Sequence, residues 1–434
     1  MHQLKTQSLR MLAVAGLLAL AVVTVWSVPT LGQAPATGVT AFVGARLIVG
    51  DGRATIENSV ILVNGTRFQQ VGRVGQVQIP AGATNVSLAG KTVMPTIIDT
   101  HNHLSQTREA LIDDLKRRAF YGVSAAQSMG QDTADVPFQV REEAREGKIP
   151  GAARFFTAGR GITAPEPGRT MAPIWVTTVA EARKAVQDNA ARKVDIIKIW
   201  VDDRMGMVKK LSPELYTAVI DEAHKSGLRV IAHIYTLEDH KGVLRAGVDA
   251  FAHGVRDKDV DDEFVTMVKQ HPNLVLGPNM PDRGVVQNYD WLRESLTAAQ
   301  LAELQKGNTN RPEAQTFHAI QARNLAKMNA AGVRIVVGTD GNTPWAPHVE
   351  MEDMAKAGMT PMQVITAATR NGAAFLKMTD VGTIEANKSA DFLVLDANPM
   401  DDITNTRRIS SVYIRGAAVD RAPFRVNQTA QAAR

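Results

Sequence analysis

The stretch "VMPTIIDTHNHLS", residues 93–105, joins an apolar run to two histidines that are one residue apart. In an extended chain residues i and i+2 point to the same side, so His101 and His103 can converge on one metal ion just past the end of a strand. Two solvated histidines in a turn would give the same short pattern. The pair alone leaves both interpretations open, and the rest of the chain has to decide between them.

The middle of the chain repeats the kind of apolar run that precedes His101. Short strand candidates begin near residues 96, 122, 154, 195, 229, 249, 273 and 334. Amphipathic helical stretches lie between them, such as "TTVAEARKAVQDNAARK" and "SPELYTAVIDEAHKSG". Eight alternations of strand and helix predict a (β/α)8 TIM barrel over residues 96–378.

The two ends of the chain have a different texture from the middle. Residues 39–95 and 379–422 contain short runs rich in Val, Ile, Thr and Phe, and Asp51-Gly52 and Asn64-Gly65 are hairpin signals. Both ends are therefore predicted to be β-structure, followed by a C-terminal tail over 423–434. The pattern does not show whether the two ends pair in one sheet.

Composition limits the classes of function. The chain has 434 residues, of which 44% are apolar, so it can form a large core. The net charge of +5 is small and the basic residues are scattered, which argues against a nucleic-acid partner and favours a small-molecule substrate. There is no cysteine, so a transition metal has to be held by nitrogen and oxygen ligands.

The first 36 residues are typical of an export signal. Lys5 and Arg10 precede an apolar stretch over 11–28, and a segment rich in proline and small residues follows, with a cleavage site predicted after Ala36. The expected location is periplasmic or secreted. The length of the apolar stretch also allows an uncleaved membrane anchor, and only in that case is a membrane a partner.

The barrel prediction gathers scattered polar residues into one set. Active sites of such barrels lie where the strands end, at the C-terminal face. Six residues fall in or at the end of strand candidates and are expected at one mouth: His101, His103, Lys198, His233, His253 and Asp340. Their joint placement favours a metal site over isolated structural histidines.

These motifs resemble those of the amidohydrolase superfamily, over about residues 40–422. The resemblance rests on "VMPTIIDTHNH", "IIKIW", "VIAHIY", "AFAHG", "VGTD" and "GTIEANKSADFLVLD" and is greatest to the imidazolonepropionase-like and Xaa-Pro dipeptidase-like branch. It implies that the two chain ends form a composite β-sandwich beside the barrel. It also implies two divalent metal ions, with zinc as the default: His101, His103 and Asp340 would bind one, His233 and His253 the other, and a carbamylated Lys198 would bridge them.

Lys198 needs a chemical change to serve as a metal ligand. An ammonium group repels cations, whereas burial among the apolar neighbours of "DIIKIW" favours the neutral amine, which can react with carbon dioxide to give an anionic carbamate. The alternative is a lysine that extends to solvent from the strand end or pairs with Asp195 or Asp202.

A metal pair of this kind indicates a hydrolase. Two ions that share a water bring its pKa near neutrality, and Asp340 is the predicted general base and acid. Tyr235 either donates to the developing oxyanion or packs at the barrel rim. His348 is a candidate substrate contact, as are Arg160 and Arg169, which can bind a carboxylate bidentately or simply lie on the surface.

Three functions remain open at this stage. The first is hydrolysis of the amide bond of a dipeptide or an N-acyl amino acid, and the second is attack by the same site on a lactone, cyclic amide, ester or phosphotriester. The third is an exported, non-catalytic binding protein on a hydrolase barrel, which the complete ligand set disfavours. The loop "GRGITAPEPGRTMAP" and Thr96 depart from the family pattern, and the first departure weakens the case for dipeptides. A homo-oligomer is compatible with the sequence.

Overall fold

The computed structural model describes residues 38–167 and 172–426. The predicted export signal, Arg169 and the chain beyond Val426 lie outside these residues. Among the described helices, none combines the length and the apolar character needed to cross a membrane.

The N-terminal β-structure consists of six strands: β1 (Val39–Val43), β2 (Arg46–Leu47), β3 (Ser59–Asn64), β4 (Arg67–Arg73), β5 (Thr84–Ser87) and β6 (Thr92–Pro95). Four of them form one sheet in the order β4-β3-β1-β5. The β3–β4 hairpin turns at Asn64-Gly65, where Gly65 has a φ of +56°. Asn64 pairs with Arg67, so the two-residue loop is Gly65-Thr66, with glycine at the first central position of the turn.

The middle of the chain forms the barrel. Its eight parallel strands are β7 (Ile97–Asn102), β8 (Val123–Ser128), β9 (Arg154–Thr157), β12 (Ile197–Val201), β13 (Val230–Ile234), β14 (Ala250–Ala252), β15 (Val275–Gly277) and β16 (Arg334–Ile335), with two short strands, β10 (Ile162–Thr163) and β11 (Ile174–Trp175), in the loop after β9. The helices are α1 (Arg108–Phe120), α2 (Val136–Arg145), α3 (Val179–Ala191), α4 (Pro213–Lys225), α5 (Leu237–Arg245), α6 (Asp262–Lys269), α7 (Ala298–Lys306), α8 (Pro312–Ala330), α9 (Ala346–Lys356), α10 (Pro361–Thr366) and α11 (Gly372–Phe375). A π-helical stretch, Ala367–Asn371, joins the last two helices. The predicted TIM barrel is confirmed.

Backbone hydrogen bonds close the barrel between its first and last strands. The amide of Thr100 donates to the carbonyl of Val337 at 2.9 Å, and the amide of Asp340 donates to the carbonyl of His101 at 2.8 Å. These bonds bring the segment after β16 beside the end of β7. Residues 101 and 340, far apart in sequence, therefore meet at the same end of the barrel.

The C-terminal strands complete the second sheet of the sandwich. These strands are β17 (Phe392–Leu395), β18 (Ile409–Ile414) and β19 (Ala417–Ala418), and the sheet order is β19-β18-β17-β6-β2. Met94 of β6 pairs with Leu393 of β17, so both ends of the chain share one sheet. The composite sandwich implied by the family resemblance is present.

Buried apolar side chains fill both parts. All residues of β7 and β12 are buried, which explains why barrel strands are apolar runs without alternation. In the sandwich, Phe392 stacks on Tyr413 at 4.5 Å between ring centroids, and Phe42 contacts both rings edge-on. Aromatic pairs of this kind add to the free energy gained by burial.

A buried polar group joins the barrel to the sandwich. Arg154, the first residue of β9, makes a two-bond ion pair with Asp391, and one guanidinium nitrogen also donates to Ser389 at 3.1 Å. Thr96, the residue at which the sequence departs from the pattern expected of the resembled family, shares a hydrogen bond of 2.6 Å with Ser124. The departure at position 96 therefore changes a buried contact and leaves the strand that carries His101 in place.

Candidate metal centre

His101 and His103 lie together at the C-terminal end of β7. Their ring centroids are 5.4 Å apart, and the side chain of His101 is 2% exposed against 21% for His103. Both rings are at the same end of the strand, as expected for residues two apart in an extended chain. The pair is a convergent site in the barrel mouth and not a solvated turn.

Asp340 completes a group of three with these histidines. Its Oδ1 is 3.0 Å from Nε2 of His103 and 3.2 Å from Nε2 of His101. One potential ligand atom from each residue lies within 4.8 Å of the others. Gly338 permits this approach, because a Cβ there would be 2.8 Å from Cβ of His101.

A second pair of histidines lies beside this group. Nδ1 of His233, near the end of β13, is 2.8 Å from Nε2 of His253, which follows β14. Nε2 of His253 is 3.6 Å from Oδ2 of Asp340. The carboxylate of Asp340 therefore lies next to both groups of candidate ligands.

Lys198 lies in β12 and is fully buried. Burial is the main cause of the lowered pKa of His101 and of His233, and the positive charge of Lys198 lowers both further, which indicates that Lys198 is near a member of each group. Its ammonium nitrogen is 5.7 Å from the ring of Trp200. A Cβ on Gly161 would come within 2.0 Å of that ring, so the glycine makes room for the indole.

Two neighbouring polar residues set the tautomers of the histidines. Oδ1 of Asn279 is 3.2 Å from Nδ1 of His101, and Oδ2 of Asp202 is 3.1 Å from Nε2 of His233. Because these oxygens accept, each contacted nitrogen carries the ring proton. The other nitrogen of each ring, which faces the centre, is left as an electron-pair donor, as metal ligation requires.

Arg256 has the opposite effect on His253. Its Nη2 is 2.8 Å from Nδ1 of His253 and also donates to the carbonyl of Asn279 at 3.1 Å. A guanidinium has only donors, so Nδ1 of His253 accepts and Nε2 of the neutral ring carries the proton. That proton points towards His233.

Comparison with known proteins places this arrangement in a family. The profile of the amidohydrolase family matches residues 92–419, about three quarters of the chain. The chain belongs to the amidohydrolase family. Its predicted resemblance to the imidazolonepropionase-like and Xaa-Pro dipeptidase-like branch is also confirmed.

The relatives of this amidohydrolase cover most of its length. Imidazolonepropionase of Brevibacillus brevis is 25% identical over 384 residues, which are 82% of this chain and 87% of the relative. Ochratoxinase of Aspergillus niger is 23% identical over 416 residues, 84% and 82% of the two chains. A solved structure of a prolidase-like protein from Bifidobacterium longum shares 29% identity and superposes with a TM-score of 0.73 over 89% of this chain and 95% of its own.

Family membership makes this amidohydrolase an enzyme that hydrolyses carbon–nitrogen bonds. Amidohydrolases generally use divalent metal ions, and the donor set present here fits such ions. Burial lowers the pKa of His101 to about 3 and that of His233 to about 4, so both rings are neutral at pH 7. Neutral imidazoles and an ionised carboxylate are the ligand forms that divalent transition metals bind.

Tyr235 lies at the rim of the same mouth in this amidohydrolase. Its ring stacks on Phe317 with centroids 6.2 Å apart, and its backbone carbonyl accepts from the amide of Arg256 at 3.0 Å. The side chain is partly buried. The location is compatible with both roles predicted for it, oxyanion donor and rim packing.

His348 contradicts the prediction that it contacts substrate. It lies in α9 with 1% of its surface exposed. Nε2 is 2.9 Å from the carbonyl of Tyr121 and Nδ1 is 3.0 Å from Oγ1 of Thr406. Both ring nitrogens are therefore used in holding α9 against the barrel and the segment before β18.

Arg160 has a structural role in the loop after β9. Its Nε donates to the carbonyl of Ala172 at 2.9 Å and its Nη2 to that of Pro173 at 3.0 Å. One bidentate edge of the guanidinium is thus occupied by its own loop, which favours the structural alternative, and a contact between Arg160 and a substrate carboxylate stays a prediction. The prediction for Arg169 lies outside the described residues.

Sequence reasoning did not assign a site role to Arg256 or Asn279, and it named Asp202 only as an alternative partner of Lys198. Each follows a barrel strand by one to four residues, so the strand-end rule applied to every polar residue would have found them. The left-handed backbone at His253, Asn279 and Asp340, with φ of +101°, +45° and +52°, gave no sequence signal. Such strain is common where side chains are aimed at an active centre.

Proposed function

We propose that this amidohydrolase uses two divalent metal ions, zinc by default, to hydrolyse an amide bond of a small N-acyl amino acid or dipeptide. The observation that carries the proposal is the convergence of two ligand groups on one carboxylate. His101 and His103 would hold one ion, His233 and His253 the other, with Asp340 at the first. Lys198 would bridge them as a carbamate.

The chain's own residues account for the proton transfers. When bound, the ions supply an activated water and polarise the carbonyl that it attacks. Asp340 lies within hydrogen-bond distance of the ligand nitrogens, where its carboxylate can accept a proton and pass it to the leaving nitrogen. Tyr235 at the rim is the candidate donor to the oxyanion.

The relatives support an amide or a cyclic amide as the bond that is cleaved. The relatives are named imidazolonepropionase, ochratoxinase and prolidase, and we use these names only to choose the substrates that should be tested. The loop after β9 contains two short strands, β10 and β11, at the point where the sequence departs from the dipeptidase-like pattern. This departure weakens the case for a dipeptide.

The proposal is tested by metal content together with substrate class. Elemental mass spectrometry of protein purified without chelators is expected to give about two divalent ions per chain. A ¹³C carbamate signal is expected after incubation with labelled bicarbonate. A panel of N-acyl amino acids, dipeptides, cyclic amides, lactones, esters and phosphotriesters then assigns the bond. Absence of metal after addition of zinc and bicarbonate would refute the proposal.

Arg256 is expected to compete with the second ion. A metal ion can bind Nε2 of His253 only when that nitrogen carries no proton. The hydrogen bond from Arg256 to Nδ1 favours the tautomer in which the proton is on Nε2. We therefore expect Arg256→Met to bind the second ion about tenfold more tightly, since a hydrogen bond from a charged group contributes roughly 1.5–3 kcal/mol. Titration calorimetry of the metal-free protein with zinc measures the change.

The control for this variant is Arg323→Met. Arg323 is an exposed arginine of α8 paired with Asp259 at 2.9 Å. Its replacement removes the same charge without touching the histidines and is expected to leave both zinc affinities unchanged. An affinity of Arg256→Met equal to or weaker than that of this control would contradict the competition.

A further inference from the structure

A second concave site lies at the opposite end of the barrel from the metal centre. This basal cleft encloses about 300 Å³ and is lined by five cationic side chains and one carboxylate: Arg67, Arg145, Arg154, Lys377, Arg415 and Asp380. Arg154 begins β9, whereas the metal ligands lie where strands end, which places the cleft at the N-terminal face. Hairpins of the sandwich form its other wall.

Three of the five cations have carboxylate partners. Arg154 pairs with the buried Asp391, and Arg145 contacts Asp195 at 3.1 Å. Arg67 is 3.6 Å from Asp380. Asp380 is the one carboxylate among the described residues that line the cleft, so the charge of the lining is positive.

Arg415 and Lys377 carry the unbalanced charge. Within the described part of the chain, no side-chain nitrogen of either residue lies within 4.0 Å of a carboxylate oxygen. Nη2 of Arg415 donates only to backbone carbonyls, those of Ala144 at 3.1 Å and Arg145 at 2.6 Å. Burial first, and then the adjacent charge of Arg154, lower the pKa of Arg415 to about 10, so the cationic form of this side chain is held at a cost.

The backbone at both residues is also unfavourable for a basic side chain. Lys377 has a φ of +56° at the end of α11, and Arg415 has a φ of +52° in the turn between β18 and β19. Glycine or asparagine adopts this left-handed conformation at lower cost. Two basic residues with the same strain in one cleft suggest that their charge is needed there.

The guanidinium of Arg415 is held in place against the end of α2. A Cβ on Gly147 would lie 3.4 Å from its Cζ, so the guanidinium packs over a residue that has no side chain. Its backbone amide donates to Asp391 at 2.8 Å. The cation is thus fixed before any ligand arrives, which lowers the entropic cost of binding.

We propose that the basal cleft binds an anion that carries phosphate groups. Planar guanidinium groups match phosphate oxygens bidentately, and five cations around about 300 Å³ suit a diphosphate or a phosphate ester better than a single carboxylate. The anion comes either from a free small molecule or from a lipid headgroup. This site is independent of the metal centre and of the function proposed for it.

The test uses the full chain and inorganic pyrophosphate, measured by titration calorimetry after removal of metal. In the double variant Lys377→Asn with Arg415→Asn, asparagine tolerates the left-handed backbone, so the fold is expected to persist. We expect the double variant to bind pyrophosphate at least about tenfold more weakly, because two charge-assisted contacts are lost. Binding by the unaltered chain should weaken as ionic strength rises.

A charge-matched control distinguishes the loss of a specific binding site from a general loss of positive charge on the protein. Lys184→Gln with Arg323→Gln removes two exposed cations on outer helices and should leave pyrophosphate affinity unchanged. Vesicles of anionic phospholipid provide the second arm, with zwitterionic vesicles as reference. Binding to anionic vesicles alone, lost in the double variant, would support a headgroup as the anion. Absence of binding in both arms, or equal affinity in the double variant and the control, would overturn the proposal.

Discussion

Asp340→Asn is expected to lower kcat by about 10²–10⁴-fold, the range in which a positioned general acid or base contributes. Burial raises the pKa of Asp340, but interactions with His101 and His103 outweigh it and hold that pKa well below its usual range. The carboxylate is therefore ionised at neutral pH and able to accept a proton. Asparagine has nearly the same side-chain shape as aspartate and tolerates the backbone φ of +52° at position 340, but its amide cannot accept a proton as the carboxylate does.

The measurement is kcat and metal content on the same preparation. Asp401→Asn serves as the control, because Asp401 is an exposed residue before β18 and far in sequence from the ligands. If Asp340→Asn retains its metal and loses activity, the proton-transfer role is supported. If its kcat stays within about threefold of the unaltered chain, the role assigned to Asp340 is wrong, since general catalysis contributes much more than that.

The barrel could be predicted because its signal is local. Each strand, such as β12 with "IKIWV", is a short apolar run buried on both faces, and helical stretches separate the runs. The pairing of β6 with β17 could not be predicted in the same way. Val93 and Val394 face each other across about three hundred residues, and periodicity gives no information on which distant strands meet. Only the family resemblance supplied that pairing.

The convergence of the candidate metal ligands could be predicted because the barrel places all strand ends at one face. His348 shows where this reasoning fails. A histidine in a loop or helix after the last strand has no strand end to fix its direction, and its partners Tyr121 and Thr406 are distant in sequence. Arg256, four residues after β14, was missed because the strand-end rule was applied only to residue types that commonly bind metals.

Lys198→Ala is expected to abolish binding of the second ion and to lower kcat by roughly 10³-fold. A metal that polarises a carbonyl contributes several kcal/mol to the transition state, and the loss of that contribution corresponds to a change of this size. The physical reason lies in the position of Lys198. As an ammonium it acts unfavourably on His101 and His233, so it can support metal binding only after conversion to an anion.

The matched variant Lys198→Met distinguishes a carbamate from a packing role. Methionine fills much of the buried space, whereas alanine leaves a cavity that a short carboxylic acid such as propionate can enter. We therefore expect added propionate to restore metal content and part of the activity to Lys198→Ala but not to Lys198→Met. Two ions and unchanged kcat in Lys198→Met would show that the lysine only packs against Trp200. Rescue confined to the alanine variant would instead show that a bridging carboxylate is what the centre needs, because the acid restores two oxygens and not the positive charge.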